Sequence, residues 1–219
     1  MKKLIAMGLT VIMTAVAVCG CGSSDSGNDA KKSDSQTKQQ AVKVIDVDLT
    51  SEEYAFGVDK NKPELLTQVN DFIKEIKDNG TFDEICNKYF GGGNPTPVKS
   101  EKLDTSKDQL LVATNASFEP FEYMKGDSYY GIDMEIAAAL AKKLNKELVI
   151  QNMEFDSVCL SVGQHKSDVA MAGLTVKEDR KKYVNFSDTY YNAAQRLIVK
   201  GDSTCLLYTS DAADDTPCV

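Results

Sequence analysis

Ala172-Gly173-Leu174-Thr175-Val176-Lys177-Glu178-Asp179-Arg180 is the stretch whose reading decides the fold. The residues before it, 168–171, read as a short buried strand, and residues 177–182 read as a helical turn. The spacing predicts that the chain leaves a strand at Gly173, turns at Thr175 and enters a helix whose free N–H groups point back toward the strand end. Thr175 and Glu178 stand at capping-box spacing, and a helix N-terminus attracts anions. Arg180 can fold back over the same mouth with a planar, two-pronged donor. Backbone N–H, hydroxyl and guanidinium around one point suit a carboxylate. Taken alone, the same residues also describe an ordinary capped helix with a solvated arginine.

The surrounding sequence favours the anion site. From Gln109 onward strands and helices alternate. Residues 110–114 form a strand, and Gly131 precedes a helix with Ile132, Ile136, Leu140 and Leu144 on one stripe. Residues 148–150 form the next strand, and Asp156 caps a short helix through Val158 and Val162. Residues 183–186 and 195–200 supply further strands. Such alternation implies an α/β fold with a mostly parallel sheet flanked by helices. Ligands in these sheets sit at the carboxyl ends of strands. Asn115 and Phe118 follow one strand, Phe155 the next, and the 173–180 stretch a third, so three loops converge on one crevice.

The preceding part has a different texture. Residues 44–49 and Tyr54-Ala55-Phe56-Gly57-Val58 read as extended runs. Pro63 then starts a helix at its favoured first position, with Leu65, Leu66, Val69, Phe72, Ile73 and Ile76 on one apolar stripe. Thr81 and Glu84 cap a second helix, with Phe82, Ile85 and Tyr89 facing inward, which ends at Gly91-Gly92-Gly93. Residues 95–107 are polar, unpatterned linker.

Both ends carry their own signals. Met1-Lys2-Lys3 and the apolar run 4–18 form a secretory signal, too short for a membrane span. Val18-Cys19-Gly20-Cys21 resembles the lipobox of bacterial lipoproteins and places the lipidated cysteine at Cys21, so residues 1–20 are the signal peptide. Residues 21–42, rich in Ser, Asp, Lys and Gln, read as a disordered tether. At the other end, Cys205-Leu206-Leu207-Tyr208-Thr209-Ser210-Asp211-Ala212-Ala213-Asp214-Asp215 matches one reading frame of a transposase adapter used in sequencing libraries, so residues 205–219 read as translated adapter.

The net charge of −8 argues against a nucleic-acid partner. Of the six cysteines, Cys86 and Cys159 lie inside helical patterns, where free thiols or a bridge both remain open. His165 is the one histidine and sits in a polar turn, so neither a metal cluster nor a His-based triad is expected.

Four blocks together resemble the family 3 extracellular solute-binding proteins, the amino-acid receptors of ABC importers, with glutamine-binding proteins similar. They are Val112-Ala113-Thr114-Asn115-Ala116-Ser117-Phe118-Glu119-Pro120-Phe121-Glu122-Tyr123, Gly131-Ile132-Asp133-Met134-Glu135-Ile136, the 172–180 stretch, and Val184-Asn185-Phe186-Ser187-Asp188-Thr189-Tyr190-Tyr191. The resemblance implies a lobe of the type II periplasmic-binding-protein fold over residues 108–204. It also implies no cofactor, no enzyme activity, an ABC permease as partner, and a monomer anchored by lipid on the extracytoplasmic face of the cell membrane. It implies that Arg180 holds the α-carboxylate of an amino acid, that Thr175 shares that carboxylate and meets the ammonium with the Gly173 carbonyl, and that Phe118 and Phe155 sandwich the ligand's side chain. Asn115 stands where relatives often carry Asp, so the expected ligand is neutral and polar rather than cationic. Residues 43–94 resemble the C-terminal segment of the same family, here placed ahead of the lobe, by circular permutation or partial duplication. The second lobe, with its acidic partner for the ammonium, is then missing. The expectation for the displaced segment is that residues 54–58 pair with 195–199 and that the helix stripe docks on the sheet. Two other classes share the fold: dehydratases of prephenate-like acids, which need a general acid in the crevice where only Glu119 and Asp156 are near, and sensor domains, which carry a membrane span.

Overall fold

Phe56, Val58, Val69 and Phe72 are buried among residues that follow them by a hundred positions or more, so the early segment is part of the core. The structure is a computed structural model that describes residues 42–201. The signal peptide, Cys21, most of the tether and residues 205–219 lie outside those residues.

The early segment contains β1 (Val42–Val44), β2 (Glu52–Tyr54) and β3 (Gly57–Asp59), then α1 (Pro63–Asp78) and α2 (Thr81–Phe90). β4 (Gln109–Thr114) opens the later part and leads into a small antiparallel sheet of β5 (Ser117–Phe118), β6 (Glu122–Lys125) and β7 (Ser128–Tyr130). Next come α3 (Ile132–Lys143), β8 (Glu147–Asn152), α4 (Phe155–Gly163) and β9 (Val169–Ala170). A 3-10 turn (Arg180–Lys182) precedes β10 (Val184–Phe186), β11 (Tyr191–Ala193) and β12 (Ile198–Lys200).

The main sheet has five strands in the order β10-β3-β9-β4-β8. β4 runs parallel to both β8 and β9, as the alternation predicts. β3 enters antiparallel to β9 and to β10, so the early segment occupies an interior position of the sheet. The sheet is therefore mixed, parallel in its later half and antiparallel where the early segment joins it. Leu110 and Val112 of β4 pack with the α1 and α3 residues Leu65, Val69, Ile136 and Leu140. Ala113 packs instead with Val158 and Val162 of α4, so helices cover both faces.

The α1 stripe docks as expected: Leu65, Val69, Phe72, Ile73 and Ile76 are all buried. Each such side chain contributes roughly 1.5–3 kcal/mol on burial. The strand pairing differs from the expectation. Residues 54–58 do not pair with 195–199; Tyr54 lies opposite Tyr191, while Val44 lies opposite Ile198. Instead β1 pairs with β12 and β2 with β11, while the chain after Tyr54 turns into the main sheet, where β3 lies between β10 and β9. Of the extended run at 44–49 only Val44, the last residue of β1, lies in a strand, and of 195–200 only 198–200.

Three local readings are corrected. Thr81 does not cap α2; Gly80 stands at that position with φ +82°, and the Thr81 N–H donates to Asn79 Oδ1 at 3.0 Å. Asp156 lies inside the first turn of α4, whose cap position is Glu154. The linker is fixed at Val98, which is buried and exchanges backbone hydrogen bonds with Tyr129 at 2.8 and 3.1 Å. Cys86 and Cys159 are free thiols. His165 is exposed in its polar turn, and its Nδ1 lies 2.8 Å from the buried Asp59 carboxylate, so it ties the α4–β9 turn to the early segment.

Candidate ligand site

The stretch that was expected to open a helix does not. Residues 174–176 run extended beside residues 53–55: the Ala55 N–H donates to Leu174 O, and the Val176 N–H to Glu53 O, both at 3.0 Å. These bonds flank the Tyr54–Thr175 bridge, so the Thr175 N–H and C=O point away from Tyr54. Helix geometry appears only as the turn at Arg180–Lys182, capped by the Asp179 side chain. Thr175 and Glu178 therefore form no capping box; the Thr175 hydroxyl donates to Glu52 Oε2 at 3.4 Å. A backbone strand partner outcompeted the local helix signal.

Arg180 nevertheless folds back over the mouth. Its Nη1 donates to Thr175 O at 2.8 Å, and its guanidinium carbon lies 5.0 Å from the centre of the Phe155 ring. Among the described residues no carboxylate lies within ion-pair distance of it, so its remaining donors are available. Gly173 has φ +51°, a conformation L side chains rarely adopt, and a Cβ there would come within 3.1 Å of Phe118. Phe118 and Phe155, 44% and 38% exposed, offer open aromatic faces. Phe118 is held by stacking on Phe121 at 5.6 Å.

Asn115, Phe118, Phe155, Gly173, Thr175 and Arg180 all line one crevice of about 380 Å³. Asn115 is already occupied: its Nδ2 donates to Met153 O at 2.8 Å, and its Oδ1 accepts from the Ser117 hydroxyl at 2.5 Å. It braces the loop after β4 against the loop after β8. A larger groove of about 920 Å³ lies between α3 and the linker, but there Lys107 pairs with Glu147 and Lys146 with Asp108 on an open surface.

The crevice also contains residues that sequence reasoning missed. Glu52 accepts from the Thr50 hydroxyl at 3.1 Å, the Tyr54 hydroxyl at 3.2 Å and the Gln195 amide at 2.7 Å. Burial works against its charge, yet these donors and Thr175 hold the Glu52 carboxyl below its ordinary range. Burial and the neighbouring Glu52 charge push the Tyr54 phenol up to about 12. Glu122 also lines the crevice; it is 1% exposed, and neither carboxyl oxygen has a hydrogen-bond partner among the described residues. Burial first, and then the Asp133 carboxyl, raise the Glu122 proton affinity strongly. Asp133 is buried too, and burial raises its pKa, but it accepts from the Gly173 N–H at 2.9 Å and the Tyr190 hydroxyl at 2.6 Å. Glu122 had a readable signal, a lone acid between Phe121 and Tyr123 in a quoted block; Glu52 had none, since only folding brings it here. Among the described residues no group of three His, Cys, Asp or Glu could hold a metal ion.

The family model described as bacterial extracellular solute-binding proteins, family 3, matches residues 10–92 and 110–213. The arginine-binding extracellular protein ArtP of Bacillus subtilis is 40% identical over 100 residues, covering 46% of this chain and 39% of its own length. The arginine-binding periplasmic protein of Mannheimia haemolytica is 34% identical over 101 residues, covering 45% and 42%. Among solved structures, the arginine-bound form of domain 1 from TmArgBP is 33% identical with a TM-score of 0.37, covering 47% of this chain and 90% of that one. The chain thus spans about two fifths of the length of the curated relatives it matches.

Proposed function

Since the chain belongs to the bacterial extracellular solute-binding proteins of family 3, we propose that it is an extracytoplasmic receptor that binds a free amino acid and delivers it to an ABC importer, without catalysis. One observation carries the reading: an Arg180 guanidinium with free donors stands over an open aromatic face, beside the turn from Gly173 to Thr175. That combination suits an α-carboxylate next to a side chain lying between Phe118 and Phe155.

For the side chain, a cationic amino acid, arginine first, fits the crevice best. Two carboxyl groups, Glu52 and Glu122, line it, and the relatives are named for arginine. The neutral polar ligand expected from Asn115 loses its main argument, because both ends of that amide are engaged within the protein. It survives as a second reading on Glu122, which as a protonated acid can both donate to and accept from a side-chain amide.

Anchoring through a lipid on Cys21 rests on the lipobox-like run ending Gly20-Cys21. The displaced segment, residues 43–94, reads as a circularly permuted piece of the fold because β3 sits inside the sheet of residues 108–201.

Titration calorimetry with arginine and with glutamine tests the ligand. Arginine is expected to bind more tightly than glutamine, and Arg180→Ala is expected to weaken arginine tenfold or more, since a hydrogen bond to a charged group is worth about 1.5–3 kcal/mol. Unchanged affinity in that variant would refute the carboxylate assignment.

A further inference from the structure

Glu122 lines the crevice as a buried carboxyl whose proton the ligand reading does not account for. Its carboxyl is 1% exposed and neither oxygen meets a donor among the described residues. A buried carboxylate without donors or a counter-charge is costly enough that such a group keeps its proton. The groups that face it do not remove that cost. Asp133 of α3 adds a like charge, and Tyr54 and Tyr190 are neutral phenols whose hydroxyls go to Glu52 and Asp133. Across the crevice Glu52 is a further anion, while Arg180 is tied to Thr175 O over Phe155. Lys177 lines the rim, and neither cation lies within ion-pair distance of Glu122. Within the buried pair, Asp133 has two donors and is the member fit to carry charge; Glu122 is the member that keeps the proton.

We propose that a cationic amino acid enters this crevice in exchange for the Glu122 proton. The proposal rests on the arginine reading above. In the ligand-free protein Glu122 is a neutral acid. A guanidinium brought against it supplies both a charge and paired N–H donors for the two empty oxygens. The O–H bond of Glu122 then breaks heterolytically, the electron pair stays on the carboxylate, and the proton passes to solvent. One cation enters and one proton leaves, so the net charge of the buried site is conserved. A neutral side chain offers no such compensation and leaves the proton in place. Affinity for arginine therefore rises about tenfold for each unit of pH while Glu122 is protonated in the free protein, whereas affinity for glutamine is flat. The exchange makes the receptor's preference between the two ligands depend on external pH.

Infrared spectroscopy of the full chain reads the Glu122 proton directly. A protonated-carboxyl band at neutral pH is expected without ligand, is expected to disappear in excess arginine, and is expected to persist in excess glutamine. The band should be missing from Glu122→Gln. Calorimetry of the unsubstituted chain with arginine, in two buffers of different ionisation enthalpy, should report close to one proton released, and this measurement does not depend on the variant folding. Arginine binding without proton release overturns the exchange and leaves the receptor reading standing. Binding of glutamine but not arginine overturns the exchange and the arginine reading together. No binding of either amino acid overturns both the exchange and the receptor reading.

Discussion

Phe56→Ala measures whether the early segment holds the lobe together. Phe56 is 1% exposed, and its ring stacks on Tyr190 with centroids 4.3 Å apart and planes 16° from parallel. Its N–H donates to the Ser187 hydroxyl at 2.9 Å, across 131 positions of sequence. Removing a buried phenylalanine ring costs about 3–5 kcal/mol through lost transfer energy and the cavity left behind. The site cannot collapse easily, because Tyr190 on the far side is fixed by its 2.6 Å bond to Asp133. A value near 4 kcal/mol is thus expected, a large share of the ~5–15 kcal/mol of a typical domain. With a urea m-value of about 2 kcal/mol/M, the unfolding midpoint should fall by about 2 M. The chain has no Trp, so far-UV circular dichroism is the suitable signal. If the segment were an undocked remnant, the substitution would behave as a surface change, within about 0.5 kcal/mol. A midpoint shift below about 0.3 M would refute the docking argument.

The buried acids make stability depend on pH. Glu122 and Asp133 have ordinary values of 4.5 and 3.8, and burial raises both in the fold. Below about pH 4 these acids are protonated in folded and unfolded chains alike; above it the unfolded chain ionises both freely while the folded one keeps the Glu122 proton, so stability falls as pH rises toward the folded Glu122 value. The urea midpoint should therefore drop between about pH 5 and about pH 8, and Glu122→Gln should flatten the slope; equal slopes in both proteins would contradict it. Gly173→Ala puts a side chain at φ +51° and 3.1 Å from Phe118, so a loss of roughly 1–2 kcal/mol is expected together with weaker ligand binding. An unchanged melting temperature would count against the strained turn. Cys21→Ser should move the protein from the membrane to the soluble fraction; a variant that still carries labelled lipid would place the anchor elsewhere.

Sequence alone was enough for the helices and the parallel strands. The four-residue spacing of Ile132, Ile136 and Leu140 and the stripe through Val69 and Phe72 encode which side of each helix is buried, and both stripes are buried in the fold. The strand–helix alternation after Gln109 likewise placed Asn115, Phe118, Phe155, Gly173, Thr175 and Arg180 at one end of the sheet, where they line one crevice. Periodicity is a local property, and it survives folding when the partner surface only needs to be apolar. The conformation of the central stretch was decided otherwise. Thr175, Glu178 and Arg180 have the letters of a capped helix, but residues 53–55 offer backbone partners that the letters cannot disclose, so residues 174–176 run extended and bridge to Tyr54. The charge of the crevice followed the same rule. Glu52 arrives from 123 positions before Thr175, and Glu122 becomes a proton-holding acid only because the fold buries it beside Asp133. Hydrogen-bond partners and desolvation are set by what the whole chain brings together, and for these residues the tertiary structure made the decision.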